Sequence, residues 1–209
     1  MRTAQAMSES PVQLNQSSNV DFPPRPTKPD EVDLVVSAFA AVTNDRKAVY
    51  LSAPITTGRR FVDAAIAARS IELEPNQHRR LVIEPNRRHV RALVRRLRFR
   101  FGVVIDPTSL ADVDEWTQAD YRVFWGRVIE LYASRVVFAD GWELSNGCAY
   151  EYVTALRTGA RTLTERLRPL TPAQAARQLK AAGSCLESAG LPASFLDAAR
   201  KEVERLGRR

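Results

Sequence analysis

Apolar positions fall into two kinds of run along the chain. Short continuous runs at Ala48-Val49-Tyr50-Leu51-Ser52, Val103-Val104-Ile105 and Val136-Val137-Phe138-Ala139, with a brief Thr162-Leu163, predict four buried strands. Between them, spacings of three and four predict helices. Asp30 stands where it would cap a helix through Val32, Val35, Val36, Phe39 and Ala40, and Asn44-Asp45 would then turn the chain. Phe61 to about Arg69 reads as a second helix. From Asn86, apolar residues recur at Val90, Leu93, Val94 and Leu97, while Arg87, Arg88, Arg91, Arg95 and Arg98 fall mainly on other faces. Asp114 to about Tyr132 is a long aromatic helix. Another runs from Ser145 to about Arg157, with Gly159 as its C-cap. Residues 171–182 and 192–206 are Ala/Arg/Glu-rich helices. The stretch 70–85 is least regular: Glu74-Pro75-Asn76 and Glu84-Pro85-Asn86 read as turns around a short apolar piece, Leu81 to Ile83.

Strands alternating with helices predict an α/β fold: a small doubly wound parallel sheet, Rossmann-like or flavodoxin-like, flanked by helices and carrying extra N- and C-terminal helices. Residues 1–29, Ser/Gln/Asn-rich and then Pro-rich, read as a disordered leader. Residues 30–165 form the α/β domain, and 166–209 a C-terminal helical extension. At 209 residues and 44% hydrophobic content, one domain with a real core is the expectation. No apolar run approaches the roughly 20 residues that span a bilayer, so no membrane partner is expected.

Cys148 and Cys185 are the only cysteines, without metal-ligand spacing, which suits a reduced, cytoplasmic setting. His78 and His89 lie in an Arg-rich stretch, so a His/Cys metal cluster cannot be built and no metal is expected. The net charge of +7 suits an anionic ligand. The Arg79 to Arg100 stretch reads as a solvated helix face, and no nucleic-acid partner is expected.

The candidate chemistry lies where strands end. In open α/β sheets, ligands sit at the carboxyl ends of strands, against helix N-termini. Arg135 to Glu151 reads RVVFADGWELSNGCAYE: a buried strand, an Asp140-Gly141 turn, then Ser145-Asn146-Gly147 and a helix start carrying one carboxylate, Glu151. A carboxylate so placed can attack an anomeric carbon, although a helix-start glutamate is also favoured by the macrodipole alone. Ser145, Asn146 and Gly147 suit a phosphate, although serine is also an ordinary N-cap. Tyr50 to Arg59 leads a strand into a loop with Pro54, Thr56, Thr57, Gly58 and Arg59; it is neither a Walker loop nor a GxGxxG fingerprint, yet it could cradle a phosphate or ribose.

Together, Tyr50 to Pro54 and Gly147-Cys148-Ala149-Tyr150-Glu151 resemble the nucleoside 2-deoxyribosyltransferase superfamily in its broad sense. That group pairs an early Tyr-x-x-Gly/Ala-Pro/Ser strand end with a later Gly-x-x-aromatic-Glu helix start. Ser145 to Glu151 reproduces the Ser-x-Gly-x-x-Tyr-Glu form of its 2'-deoxynucleoside 5'-monophosphate N-glycosidase branch. Ile55-Thr56-Thr57-Gly58-Arg59 is similar to that branch's Ile-Arg-Gly-Gly-Arg loop but lacks the first arginine and first glycine. The GWxxSxG form around Gly141-Trp142 also looks like a widespread bacterial and phage branch. The resemblance covers roughly residues 47–165.

What the resemblance implies is an N-glycosidase acting on a (deoxy)nucleoside 5'-monophosphate through a covalent glycosyl-glutamate, chemistry that requires no other cofactor. Glu151 would be the nucleophile and Tyr50 would hold it. Ser145 would face the 5'-phosphate, where an acid would be repelled, and Thr56, Thr57, Gly58 and Arg59 would complete the phosphate pocket. A homodimer is implied as well. The family's leaving-group acid falls on Arg127 in an ungapped count. The nearest acids on that helix are Asp120 and Glu130, with Asp140 a further candidate. Trp116, Tyr121, Phe124 and Trp125 suit core or dimer packing better than base stacking. The alternatives are a nucleoside 2-deoxyribosyltransferase and a catalytically inactive nucleotide-binding sensor.

Overall fold

The computed structural model describes residues 25–43, 48–110 and 113–208. Most of the expected leader and the expected Asn44-Asp45 turn lie outside the described residues. Four strands, Ala48–Ser52 (β1), Val104–Ile105 (β2), Ala133–Phe138 (β3) and Arg161–Thr164 (β4), form one sheet in the order β2-β1-β3-β4. Every pairing is parallel. The fold is therefore α/β and doubly wound, with the chain leaving β1 toward one edge for β2 and crossing back to the other side for β3.

β1 is buried along its whole length because helices cover both of its faces, which is why it reads as an unbroken apolar run. Its side chains alternate. Val49 and Leu51 join Val90, Leu93, Val94 and Leu97 of the helix Glu84–Phe101 (α4) on one face. Ala48 and Tyr50 face the other layer, built from Pro29–Thr43 (α1), Gln118–Tyr132 (α5) and Asn146–Thr158 (α6). Arg87, Arg88, Arg91, Arg95 and Arg98 of α4 are exposed, as the amphipathic spacing predicts.

The aromatic residues of α5 take the core role. Phe124 lies 4.6 Å from Trp125 and 5.4 Å from Trp116, centroid to centroid, and Trp125 lies 5.9 Å from Tyr50. The C-terminal segment forms two helices, Pro172–Ser188 (α7) and Ser194–Leu206 (α8), that pack on each other, with α8 against α6. Their Leu179, Leu186, Leu196 and Val203 join the same core as the sheet's α5–α6 face.

Three sequence expectations change. The expected turns at Glu74-Pro75-Asn76 and Glu84-Pro85-Asn86 are helical: Glu74 caps Pro75–His78 (α3), which runs without a break through a π-helical turn, Arg79–Ile83, into α4. The Glu84 N–H bonds to the Arg79 carbonyl, five residues back. That widening makes room for Pro85, which lacks an N–H and would otherwise clash in a helix interior. α5 starts at Gln118 rather than Asp114, because Thr117 and Asp120 close a capping box there. β3 begins at Ala133, so α5 passes directly into it.

Candidate active site

The chain reverses direction in the sheet between β1 and β3, and crevices at such switch points, beyond the carboxyl ends of the strands, are where α/β sheets take ligands. Here Ser52 of β1 pairs with Phe138 of β3, and the Ser52 carbonyl accepts from the Ala139 N–H at 2.9 Å. A positive-φ Gly141 then turns the chain through a 3₁₀ turn, Trp142–Leu144, into α6. Trp142 anchors this turn by stacking on Tyr152 at 5.0 Å and donating its indole N–H to Gln178 of α7 at 3.2 Å.

α6 carries Glu151 down from its N-terminus onto β1. Glu151 is 8% exposed, and the Tyr50 hydroxyl donates to its Oε1 at 2.7 Å. Burial pushes the Glu151 carboxyl up to about 7, against the opposing pull of the Ser52 and Tyr50 hydroxyls. Burial, and then the Glu151 charge, push the Tyr50 phenol well above its ordinary value, so Tyr50 remains a donor. Burial likewise pushes the Cys148 thiol up to about 12, so Cys148 stays neutral and is a poor nucleophile. A buried carboxyl that accepts from the Tyr50 hydroxyl and is pushed up to about 7 by burial is an arrangement that suits a nucleophile or acid–base group.

Sequence reasoning passed over Ser52. It sits two residues beyond Tyr50, so the same strand face presents it, and it is 0% exposed. Its Oγ meets no partner in hydrogen-bond geometry among the described residues, although the Glu151 carboxylate and the Cys148 thiol are its polar neighbours. The signal was available: a hydroxyl in phase with Tyr50 at the end of an otherwise apolar strand.

Ser145 caps α6 in the ordinary way, its Oγ accepting from the Cys148 N–H at 3.5 Å; it is buried, Asn146 is exposed and Gly147 half-buried. The loop from Pro54 to Gly58 crosses against this end. Gly58 has φ +85°, and a Cβ there would stand 2.7 Å from Pro54 Cβ, so only glycine fits. Its neighbour is the Gly141 carbonyl, which brings the first loop and the β3–α6 turn together.

Two residues outside the expected set hold the loop. Asn86 Nδ2 donates to the Ile55 carbonyl at 2.8 Å and the Thr57 carbonyl at 3.2 Å, while Arg60 donates to Asn86 Oδ1 at 2.7 Å. His78 Nε2 lies 2.8 Å from the Thr56 carbonyl. Three successive carbonyls are thus tied to the α3–α4 helical run. The backbone N–H groups of Thr56, Thr57 and Gly58 meet no acceptor among the described residues, which suits an anion. Arg59 begins the helix Arg59–Ala68 (α2), and its guanidinium lies 3.8 Å from Cys185 Sγ on α7, within the field of Glu143.

The acids expected to protonate a leaving base are not brought to Glu151. Asp120, 0% exposed, accepts from the Thr27 N–H (2.6 Å) and hydroxyl (2.7 Å), the Lys28 N–H (3.1 Å), and the Thr117 N–H (2.8 Å) and hydroxyl (2.6 Å). Burial opposes ionisation, but these donors outweigh it and hold the carboxyl far below its usual range. Asp120 is therefore a permanent anion that caps α5 and ties down the entry to α1. Glu130 is exposed on α5, three residues before β3 begins, at the amino end of the sheet and away from the crevice. Arg127 forms an ion pair with Asp33 of α1. Asp140 is exposed, and its N–H donates to Glu165 at 3.0 Å as part of the turn.

An open cleft of about 760 Å³ lies between α2 and α7, lined by Ile66, Arg69, Cys185 and their neighbours; Tyr50, Ser52, Ser145 and Glu151 do not line it. Among the described residues, no group of three His, Cys, Asp or Glu side chains stands together to hold a metal ion, and no helix is long and apolar enough to cross a membrane. Compared with family models, with curated proteins and with solved structures, the chain finds no match in any of the three.

Proposed function

We propose that this protein is an N-glycosidase that hydrolyses the base–sugar bond of a nucleoside 5'-monophosphate. The observation that carries the proposal is the buried Tyr50–Glu151 hydrogen bond of 2.7 Å at the sheet's switch point, beside a helix N-terminus. In the proposed cycle, an ionised Glu151 oxygen attacks C1' and the C1'–N bond breaks. The base departs with the bonding pair and takes a proton. Water then attacks C1' of the glycosyl ester, losing a proton, and releases the 5-phosphosugar and the Glu151 carboxylate. The free N–H groups of Thr56 to Gly58 and the N-terminus of α6 give the phosphate its electrostatic seat. The resemblance of Tyr50 to Pro54 and of Ser145 to Glu151 to the nucleotide N-glycosidases supports the same reading and carries with it a homodimer.

A second reading, a nucleotide-binding sensor without turnover, is favoured by one observation: Asp120 is consumed by the α5 cap and no acid from α5 replaces it. A positioned general acid typically contributes 10²- to 10⁴-fold, so its loss weighs heavily on base departure.

Free-base release measured by chromatography separates these readings. The panel is ribo- and deoxyribonucleoside 5'-monophosphates, the matching nucleosides and NAD, with and without an acceptor base. Release from monophosphates alone, abolished in Glu151→Gln, is the expected result. Release that requires an acceptor base would make the protein a deoxyribosyltransferase. Binding without release would make it a sensor, and full activity in Glu151→Gln would refute the glycosidase.

A further inference from the structure

The Ser52 hydroxyl is fully buried, without a hydrogen-bond partner among the described residues, and on the strand face that presents Tyr50 to Glu151. Leaving a buried hydroxyl unpaired is unfavourable, and native structures do so seldom; such a group marks a ligand or a second state of the site. Two facts narrow the choice. Its polar neighbours are the Glu151 carboxylate and the Cys148 thiol, and that thiol stays protonated and so makes a weak acceptor. Tyr50 alone among the described residues donates to Glu151, although an ionised carboxylate accommodates several donors.

We propose that Ser52 is a positioning residue for Glu151: its hydroxyl turns to donate to the carboxylate when that group ionises, so that Tyr50 and Ser52 grip it together from one face of β1. The consequence for turnover rests on the glycosidase reading; the grip itself does not. In the protonated state Glu151 carries its own O–H and accepts from Tyr50 alone, so it calls for no second donor. On ionisation the desolvated charge draws the hydroxyl in, and the short serine side chain supplies it by a rotation about χ1 with no backbone motion. The carboxylate is then held in one orientation toward the crevice, as a nucleophile requires. Other titratable groups that act on this pair are Cys148 of α6 itself, Asp106 after β2, whose charge reaches Tyr50, and Glu143 of the 3₁₀ turn, whose charge reaches Cys148.

The test follows the Glu151 carboxyl itself. Protein labelled with [δ-¹³C]glutamate is titrated by NMR, with the Glu151 signal assigned by its loss in Glu151→Gln. In Ser52→Ala the titration midpoint is expected to rise by about one unit, because a donor to the charged form is gone. Ser52→Thr, which restores a hydroxyl, is expected to return it. Should Ser52→Ala fail to fold, Ser52→Cys, similar in size and a weak donor, is expected to move the midpoint in the same direction by less. A midpoint that stays put or falls in the alanine or cysteine variant overturns the proposal. Base release read on the same proteins separates it from the glycosidase reading. The acid limb of the kcat profile is expected to move with the NMR midpoint while KM holds. A raised midpoint in a protein that releases no base would keep the grip and refute the enzyme; an unmoved midpoint in an active one would do the reverse.

Discussion

Glu151 costs the folded protein stability in its ionised form, and the size of that cost follows from its surroundings. The carboxyl ionises near 4.5 when unfolded and at about 7 when folded, with burial the main cause. A group whose folded value is raised contributes stability that is fully present below the unfolded value and lost as pH rises through the folded one. For Glu151 the loss runs from about pH 4.5 to just above 7. At 1.36 kcal/mol per unit the gap is worth about 3 kcal/mol. Glu151→Gln removes the charge and keeps an oxygen for the Tyr50 hydroxyl, while its amide can donate to the unpaired Ser52 Oγ. The variant is therefore expected to match the wild type at pH 4 and to exceed it by about 3 kcal/mol at pH 8.5, or about 6–12 °C in Tm for a chain of this size. Urea unfolding of both proteins at the two pH values measures it, and the difference between the proteins cancels every other titrating group. An equal difference at both pH values, or a variant less stable than wild type at pH 8.5, would refute the reasoning.

Tyr50→Phe removes the donor to Oε1, so the acid limb of the base-release profile is expected to move to higher pH and kcat to fall roughly 10- to 100-fold, read by steady-state kinetics across pH. Asp120→Ala is expected to cost about 2–3 kcal/mol by removing the α5 cap and the Thr27 and Lys28 anchors, with base release at low temperature retained; a folded but inactive variant would return Asp120 to the chemistry. Because its carboxyl is held low, the stability Asp120 adds is present above its unfolded value of 3.8 and fades only as pH falls below that, which acid unfolding of the pair of proteins measures. Asn86→Ala frees the Ile55 and Thr57 carbonyls, so KM for the monophosphate is expected to rise about tenfold with a smaller change in kcat.

Much of this architecture was legible because a parallel sheet buried on both sides writes itself as short apolar runs. Ala48 to Ser52 needed no correction, and the amphipathic pattern of α4 marked its buried face residue by residue. The pairing of Tyr50 with Glu151 was legible through motif order, since the two lie 101 residues apart and no local pattern joins them. Other features were hidden for physical reasons. A Glu-Pro-Asn triplet looks the same in a turn and after a π-helical widening, because the widening is set by packing of the whole helical run. Asp120 is one of the two acids nearest the position the resemblance marks on α5, yet Thr117-x-x-Asp120 is also a capping-box signature, and that local pattern sets its place. The seating of α7 against Trp142, through Gln178, is a long-range contact that no periodicity announces.

Trapping the glycosyl-enzyme tests the central claim most directly. The protein is mixed with a nucleoside 5'-monophosphate, quenched in acid within milliseconds to seconds, digested with pepsin and read by mass spectrometry. The peptide containing Glu151 is expected to gain the mass of one 5-phosphosugar residue, in step with free base released, and the gain is expected to vanish in Glu151→Gln. Base release with no adduct on that peptide, or an adduct on another residue, would contradict Glu151 as the nucleophile.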